Sequence, residues 1–367
     1  MKIRPFEAVY VHVPFCAKRK CAYCAFFSIP NPPSELVNAY LEKIERQLEQ
    51  YEPLAPVKSV YLGGGTPTAL PNVALKRLFD SMRRHIKLLP NAEISIECNP
   101  GTLTEEKTAI VAEFANRVSL GVQSFVPELL ETLGRDGSTG DFKRALKLLR
   151  AEKIENISCD LIHSIPGQSA AQWKNDLEKA ADSGVSHIST YSLTIEEGTA
   201  LARRGIDPTD QNLDAEMWEL AGDLLATKGF ARYEISNFAK MGRECRHNMD
   251  VWMGGTLLGV GPAAASFDGR DRWTLPADIA AWLNGAPPEI DALPEERRAA
   301  EILAMGLRTA TGWNPQLFEK RTGFKIIRWQ RELELLERHG LMEIEHNHIR
   351  PTLKGMELWD EIAEHLL

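Results

Sequence analysis

Apolar residues along the first half of the chain alternate between short continuous runs and helical spacing. The run at residues 8–13 predicts a buried strand, whereas Leu36, Tyr40, Ile44 and Leu48 recur at the spacing of an amphipathic helix. This alternation predicts six strands, at residues 8–13, 57–62, 93–98, 117–122, 154–162 and 186–193. Helices are predicted at residues 34–50, 72–87, 104–115, within 126–152 and at 170–184. Repeated strand and helix units of this kind build a parallel α/β sheet, as an open sheet or a barrel.

The regular alternation stops beyond residue 200. A helix at 213–228 and a strand at 231–235 are followed by an irregular segment, 242–275, rich in glycine and tryptophan. The Pro287–Pro288 link predicts two domains, 1–284 and 285–367. The second domain is predicted to contain helices at 295–307, 314–322 and 327–339, a hairpin of Met342–Ile344 with Ile349–Pro351, and a helix at 353–366. Such a smaller α+β unit resembles a winged helix, but its many acidic residues favour a lid or docking role over DNA binding.

Three cysteines, Cys16, Cys21 and Cys24, fall within nine residues of a loop that also contains Lys18 and Lys20. Three thiolates on one loop can hold three irons of a cubane cluster and leave the fourth iron open to another ligand. An incomplete zinc knuckle or chance clustering are the alternatives, but a structural zinc site needs a fourth ligand at suitable spacing. The spacing therefore favours a cluster.

Composition narrows the class of protein further. The chain of 367 residues has 44% hydrophobic and 26% charged residues, as an ordinary globular protein does, and its net charge of -8 argues against general nucleic-acid binding. Cys98, Cys159 and Cys245 are too far apart to suggest a disulfide framework, which fits a reducing cytoplasm. The N-terminus has no apolar signal core, and no apolar run reaches the length of a membrane span.

Polar residues cluster at the predicted carboxyl ends of the strands, where ligands gather in parallel sheets. Gly63–Gly65 lets the backbone approach a ligand closely, although a tight turn is an alternative. Glu97 ends the third strand, and capping of the next helix is its alternative role, for which Thr102 or Thr104 is better suited. Arg135 offers a forked donor that suits a ligand carboxylate.

Several of these motifs together resemble the radical S-adenosylmethionine (SAM) superfamily. They are Tyr-Val-His-Val-Pro-Phe-Cys at residues 10–16, the Cys-Ala-Phe that begins at Cys24, and Gly-Gly-Gly-Thr-Pro at residues 63–67. Within the superfamily they are similar to the branch of oxygen-independent coproporphyrinogen III oxidase (HemN) and the haem chaperone HemW. One departure is that four residues separate Cys16 from Cys21, where the family has three. The resemblance covers nearly the whole chain and implies a partial six-stranded (β/α)6 barrel.

The resemblance also implies a 4Fe-4S cluster on the three cysteines and a bound SAM. The residues implied to contact SAM are Tyr10, Gly64, Gly65, Thr66, Glu97, Gln123, Arg135, Asp160 and Thr194. The family pattern Asp-Leu-Ile-Tyr-Gly-Leu-Pro-Gly appears here with His163 and Ser164 in place of tyrosine and glycine, which affects the local loop shape. In the family, one electron from the reduced cluster cleaves SAM to a 5'-deoxyadenosyl radical.

Two features separate the oxidase branch from the chaperone branch. Oxidases carry a fourth cysteine where this chain has Phe26, whereas the chaperone branch has phenylalanine there. Chaperones also carry a haem-linked His-Asn-x-x-Tyr-Trp motif, which is present here as His247, Asn248 and Trp252, with Val251 replacing the tyrosine. An imidazole can ligate haem iron, and the alternative is that His247 and Asn248 satisfy buried polar groups.

The resemblance therefore implies a cytoplasmic, HemW-like haem chaperone that delivers haem to client haemoproteins. It further implies an electron donor and allows a homodimer. The first alternative is an oxidase that decarboxylates coproporphyrinogen III, or an enzyme that acts on another tetrapyrrole. The second, a nucleic-acid module on a degenerate barrel, is disfavoured by the acidic balance.

Overall fold

A large mixed sheet covered by helices forms most of the computed structural model, which describes residues 1, 4–51, 55–345 and 348–367. The strands are β1 (Ala8–Val13), β2 (Phe15–Cys16), β3 (Ile29–Pro30), β4 (Val57–Gly64), β5 (Leu88–Cys98), β6 (Arg117–Gln123), β7 (Asn156–His163), β8 (His187–Ser192), β9 (Ala231–Arg232), β10 (Asn237–Ala239), β11 (Leu257–Val260), β12 (Ala265–Phe267), β13 (Arg272–Thr274), β14 (Glu289–Asp291), β15 (Met342–Glu345) and β16 (His348–Pro351). The helices are α1 (Ser34–Gln50), α2 (Asn72–His85), α3 (Glu105–Ala112), α4 (Pro127–Thr132), α5 (Thr139–Ala151), α6 (Ala170–Asp182), α7 (Gln211–Thr227), α8 (Arg246–Trp252), α9 (Ile279–Leu283), α10 (Glu295–Gly306), α11 (Pro315–Thr322), α12 (Gln330–Arg338), α13 (Leu353–Glu357) and α14 (Trp359–Leu366).

The six predicted strands are confirmed as β1, β4, β5, β6, β7 and β8, which lie side by side in that order and run parallel. Strand β5 begins at Leu88, five residues before the prediction, and its added residues 88–91 are exposed. The sheet has two free edges, β14 and β9, so that the six parallel strands form an incomplete barrel.

The segment 242–275, predicted to be irregular, contains a helix and three strands. Strand β11 continues the parallel sheet beside β1, where Leu258 and Val260 are fully buried, and β12 and β13 extend the sheet in antiparallel fashion. These strands have only three or four residues each, too few to show a period in the sequence. The strand predicted at 231–235 shortens to β9 because Glu234 turns back to accept a hydrogen bond from the Ser236 amide at 2.8 Å.

A second hydrophobic core, drawn from residues 299–366, lies under the C-terminal helices. The predicted hairpin is confirmed as β15 and β16, in which Met342 pairs with Pro351. Strand β14 still belongs to the large sheet, and buried Arg298 joins it to α10 through Asp291 at 3.1 Å. The division at residue 284 stays a prediction. Within the described residues, every helix is too short or too polar to cross a membrane.

Candidate functional site

A cavity of about 830 Å³ opens at the carboxyl ends of the parallel strands. The predicted residues that line it are Cys16, Cys21, Cys24, Gly64, Gly65, Thr66, Glu97, Gln123, Arg135, Asp160 and Thr194. Tyr10 lies beside the cavity wall rather than in the lining, with its ring stacked on that of Tyr61 at a centroid distance of 6.2 Å. The structure therefore gathers at one place the side chains that the sequence distributes over strands one to six.

The cysteine loop is closed at its base by the short parallel pair β2 and β3. Its middle is fixed at Ala22, whose amide donates to the Leu133 carbonyl at 2.8 Å and whose carbonyl accepts from the Leu201 amide at 2.7 Å. Residues 17–19 are exposed, and Arg19 forms an ion pair with Asp136 at 2.6 Å. The longer first spacing therefore lies at the exposed rim of the cavity, and all three cysteines line the cavity with it.

All six cysteines are free thiols, and burial raises the pKa of the Cys16 and Cys24 thiols. A metal binds the thiolate, so cluster assembly on this loop must release protons. The Arg135 guanidinium donates a hydrogen bond to Cys21 Sγ at 3.6 Å.

The glycine triplet at the end of β4 leaves no room for side chains. A Cβ added at Gly64, whose φ is +110°, would lie 2.7 Å from the His12 ring, and one at Gly65 would lie 2.5 Å from the Phe15 carbonyl oxygen. The triplet thus brings bare backbone against the cysteine loop and the cavity. This close approach supports the predicted ligand contact over a simple turn.

Gly65→Ala is expected to destabilise the protein by about 1–3 kcal/mol and to weaken SAM retention at least about tenfold, because the new methyl meets backbone that cannot move freely. Gly140→Ala is the matched control, since a Cβ at this position in α5 meets only Ser138 Oγ, at 3.5 Å. Alanine within a helix stabilises it by up to about 1 kcal/mol. Denaturant unfolding and equilibrium dialysis with SAM would measure both effects, and normal SAM retention by Gly65→Ala would contradict this role for the triplet.

Glu97 is held at the cavity wall by two donors. The Tyr61 hydroxyl donates to Oε1 at 3.0 Å, and the Gly64 amide donates to Oε2 at 3.2 Å. Burial raises the pKa of Glu97 to about 7, and the nearby charge of Asp160 acts in the same direction. Helix α3 is capped by Thr104 instead, whose side chain accepts from the Lys107 amide. Glu97 is therefore not needed as a helix cap and is available to a ligand.

Asp160 accepts hydrogen bonds from serines on three neighbouring strands. Ser119 donates to Oδ1 and Oδ2 at 2.9 and 2.8 Å, and Ser158 and Ser189 each donate to Oδ1 at 2.8 Å. Sequence analysis missed these serines, although each of the three precedes a cavity-lining residue by two positions and side chains two apart on a strand share a face. The three hydroxyls hold the carboxylate in one orientation at the cavity.

Gln123 and Arg135 complete the wall beside β6. A bulge at the end of β6 gives Gln123 a φ of 70°, which is a strained conformation for a residue with a side chain. The Gln123 Oε1 atom is buried and has no hydrogen-bond partner among the residues that the structure describes. Arg135 donates to the Gly121 carbonyl oxygen. Backbone strain and an unpartnered acceptor at the same residue indicate a position built for a ligand.

The two residues that depart from the family pattern share one carboxylate partner. His163 Nδ1 lies 3.1 Å from Asp214 Oδ1, and the Ser164 hydroxyl donates to the same atom. Ser192, at the end of β8, also donates to it at 2.6 Å. Ser164 has a φ of 59°, where glycine is the favoured residue. Asp214 therefore ties together the ends of β7 and β8 near Thr194.

The predicted haem residues do not line the cavity. They lie on the short helix α8, where His247 is only 4% exposed and Asn248 and Trp252 are half-buried. The His247 Nδ1 atom shares a hydrogen bond of 2.9 Å with the Ser59 hydroxyl, and the Trp252 ring faces the Arg308 guanidinium at 5.8 Å. Burial lowers the pKa of His247 to about 3, so the imidazole is neutral, which is the form that ligates iron.

Glu93 anchors α8 from the interior of the barrel. Its carboxylate accepts from the backbone amides of His247 at 3.0 Å and Arg246 at 3.1 Å, and the Cys245 thiol donates to it at 3.6 Å. Tyr61 lies between α8 and the cavity, since its ring centroid is 5.1 Å from that of His247. Sequence analysis missed both Glu93 and Tyr61, because neither belongs to a motif.

These observations fit the groups that the sequence implies. Three thiols on one loop can bind three irons of a cubane and leave the fourth iron without a protein ligand. The same cavity offers carboxylates, an amide and bare glycine backbone to a second ligand. The unpartnered Gln123 oxygen is a further position for that ligand. A cluster with SAM beside it therefore suits the chemistry of this cavity.

Comparison with known proteins defines the class. The family model of the radical SAM superfamily matches residues 10–180, and that of the HemN C-terminal domain matches residues 293–358. The solved structure of HemN from Escherichia coli, a coproporphyrinogen III oxidase and radical SAM enzyme, has a TM-score of 0.85 and covers 99% of this chain and 90% of that chain at 22% identity. The chain thus has the radical SAM fold, as the sequence predicts.

Curated relatives narrow the class to one family. The heme chaperone HemW of Lactococcus lactis is 30% identical, with 98% of this chain and 97% of that protein covered. The heme chaperone HemW of Mycobacterium tuberculosis is 40% identical, with 74% and 71% covered. The chain therefore belongs to the HemW family of radical SAM proteins.

Proposed function

We propose that the protein is a haem chaperone that binds a 4Fe-4S cluster on Cys16, Cys21 and Cys24, SAM in the cavity and haem at α8, and that delivers haem to client haemoproteins. The observation that supports this proposal is that, in a chain of the HemW family, the residues expected to bind SAM and those expected to bind haem lie in two separate places. The thiols and all the expected SAM residues except Tyr10 line one cavity, whereas His247 and Trp252 lie on α8, outside it.

The chain's own residues orient SAM. Gly64 and Gly65 give close backbone contact, Gln123 supplies an unpaired acceptor, and Asp160, held by three serines, suits the ribose hydroxyls. When bound, the cluster supplies one electron to the sulfonium of SAM. Arg135 donates a hydrogen bond to Cys21 Sγ and so orients this thiol toward the cluster.

SAM binding is expected to weaken as pH falls through 7, because SAM is cationic and the ionised form of Glu97 attracts it. A carboxyl with its pKa raised to about 7 is mostly ionised at about pH 8 and mostly protonated at about pH 6. The affinity should therefore fall about tenfold across that interval, and Glu97→Gln should flatten the profile. Calorimetric titration with SAM at each pH measures this, and an unchanged slope in Glu97→Gln would assign the titration to another group.

The raised pKa of Glu97 also affects the stability of the ligand-free protein. Between the ordinary carboxyl value of 4.5 and about 7, folded Glu97 retains a proton that the unfolded chain releases, so this group makes the protein less stable as pH rises.

Haem binding at α8 uses the neutral imidazole of His247 as an iron ligand and the Trp252 ring as a packing surface for the macrocycle. Because His247 is 4% exposed and bonded to Ser59, α8 must shift before haem iron reaches it. We therefore infer a closed and an open position of α8, of which this structure represents the closed one.

A coproporphyrinogen oxidase is the second candidate, favoured by the structural likeness to HemN over 99% of the chain. Phe26, where oxidases have a fourth cysteine, is 68% exposed at the cavity rim and supplies no thiol. The test is anaerobic incubation of the cluster-loaded protein with SAM, a reductant and coproporphyrinogen III, with HemN as the positive control. The proposal predicts no decarboxylated porphyrinogen, and its formation at a rate like that of HemN would establish the oxidase instead.

The proposal also includes an electron donor, a cellular compartment and an oligomeric state. An electron donor must reduce the cluster, the reduced cysteines suit the cytoplasm, and a homodimer is compatible with the resemblance. A net charge of -8 argues against nucleic acid as a partner.

A further inference from the structure

Tyr61 touches both proposed sites at once. Its hydroxyl donates to Glu97 Oε1 at 3.0 Å on the cavity side, while its ring packs against the His247 imidazole at a centroid distance of 5.1 Å. Ser59, two residues earlier on β4, holds the same imidazole at 2.9 Å. Side chains two positions apart on a strand share a face, so one face of β4 supports both Glu97 and His247.

Helix α8 depends on such contacts for its position. It has seven residues, and helices this short are marginal without tertiary packing. Its N-terminal amides bond to Glu93, and its buried imidazole rests on Ser59 and Tyr61. If any of these contacts becomes stronger or weaker, the equilibrium between the closed and open positions of α8 shifts.

We propose that Tyr61 is a positioning residue through which SAM, bound in the cavity, holds α8 closed and so keeps His247 away from haem. This inference rests on the proposed function and adds regulation to it. A hydrogen bond to an ionised acceptor is about twice as strong as one to a neutral acceptor, and cationic SAM favours ionised Glu97. Bound SAM therefore strengthens the hydrogen bond from Tyr61 to Glu97 and holds the Tyr61 ring in its position against His247.

The coupling is reciprocal by thermodynamic necessity. Haem that ligates His247 in the open position removes the imidazole from Tyr61 and weakens SAM binding by the same factor as SAM weakens haem binding. A chaperone of this design holds haem best when SAM has left the cavity.

A longer connection also exists, and it provides a control. From Asp160 it passes through Ser158, His187 and Tyr233 to the Cys245 amide, with each contact between 2.8 and 3.2 Å. Tyr61 connects the cavity to α8 through only one hydrogen bond and one ring contact. We therefore assign the coupling to Tyr61 and expect Tyr233→Phe to leave it intact.

The test is hydrogen–deuterium exchange of the α8 amides in cluster-loaded protein, with and without saturating SAM and without a reductant, so that SAM stays uncleaved. SAM should slow exchange in residues 246–252 about fivefold in the wild type. Tyr61→Phe keeps the ring but removes the donor, so SAM should bind and leave α8 exchange unchanged. Ser59→Ala should speed α8 exchange overall and preserve the SAM effect.

Two outcomes overturn the inference: no effect of SAM on α8 in the wild type, or an effect that persists in Tyr61→Phe. A parallel haem titration tests the proposed haem-binding function independently of the coupling between SAM and α8. The wild type should bind haem about fivefold more weakly with saturating SAM. Protection of α8 by SAM in a protein that binds no haem would support the coupling and refute the chaperone proposal.

Discussion

Cys24→Ala is expected to yield a folded protein that holds no 4Fe-4S cluster. Iron after anaerobic reconstitution should fall from about four atoms per chain to near zero, because two thiolates do not retain a cubane whose fourth iron already lacks a protein ligand. The side chain is half-buried on the loop rather than in the core, so the fold should survive. Iron and sulfide analysis with absorbance near the cluster bands would measure the loss.

Cys159→Ala is the matched control, since this thiol is fully buried in the core, away from the cavity lining, and should leave the iron content unchanged. Cys16→Ala deserves the same measurement because of the longer spacing before Cys21. Loss of iron equal to that in Cys24→Ala would show that Cys16 remains a ligand despite the extra residue between it and Cys21. A full cluster in either variant would contradict the three-cysteine site.

Glu93→Ala is expected to lower the free energy of unfolding by about 3–5 kcal/mol. Glu93 is 2% exposed and accepts two backbone amides of α8. Burial lowers the pKa of Arg117, but the electrostatic effects of Cys245 and Glu93 outweigh it and raise that pKa. Removing Glu93 leaves two amides unpaired and a buried cation without this counter-charge, and both are costly. Denaturant unfolding of the ligand-free protein would measure the change.

Glu113→Ala serves as the control because this carboxylate is exposed and lies 3.9 Å from Lys76 at the surface. Its removal should change the free energy of unfolding by no more than about 0.5 kcal/mol. If Glu93→Ala costs as little as this, the barrel interior does not hold α8, and the closed position of His247 has another cause.

Local patterns predict the six barrel strands because each is a short segment in which apolar residues recur, bounded by turns and amphipathic helices. The helical spacing from Leu36 to Leu48 is confirmed in α1, whose buried face contains Tyr40, Ile44 and Leu48. Strand β11 escapes prediction, since four residues show no period and their place beside β1 depends on a pairing some 250 residues apart in the chain.

The cavity is predictable for a related reason: polar residues stand at the carboxyl ends of strands that must meet at one edge. What surrounds those residues is not predictable in the same way. Ser119, Ser158 and Ser189 meet Asp160 only because three strands align in register. Tyr61 reaches His247 only after residues 245–252 fold back against β4, and no local signal in either segment indicates this contact.

The most direct test of the chaperone proposal is an anaerobic haem titration of cluster-loaded protein without SAM, followed at the Soret band. Wild type, His247→Ala and His339→Ala are compared, and His339, exposed at the end of α12, is the control. The proposal predicts one retained haem per chain in the wild type and in His339→Ala, with affinity at least about tenfold weaker in His247→Ala, since an iron ligand is lost. Failure of the wild-type protein to retain haem while its cluster is intact would contradict the proposed function.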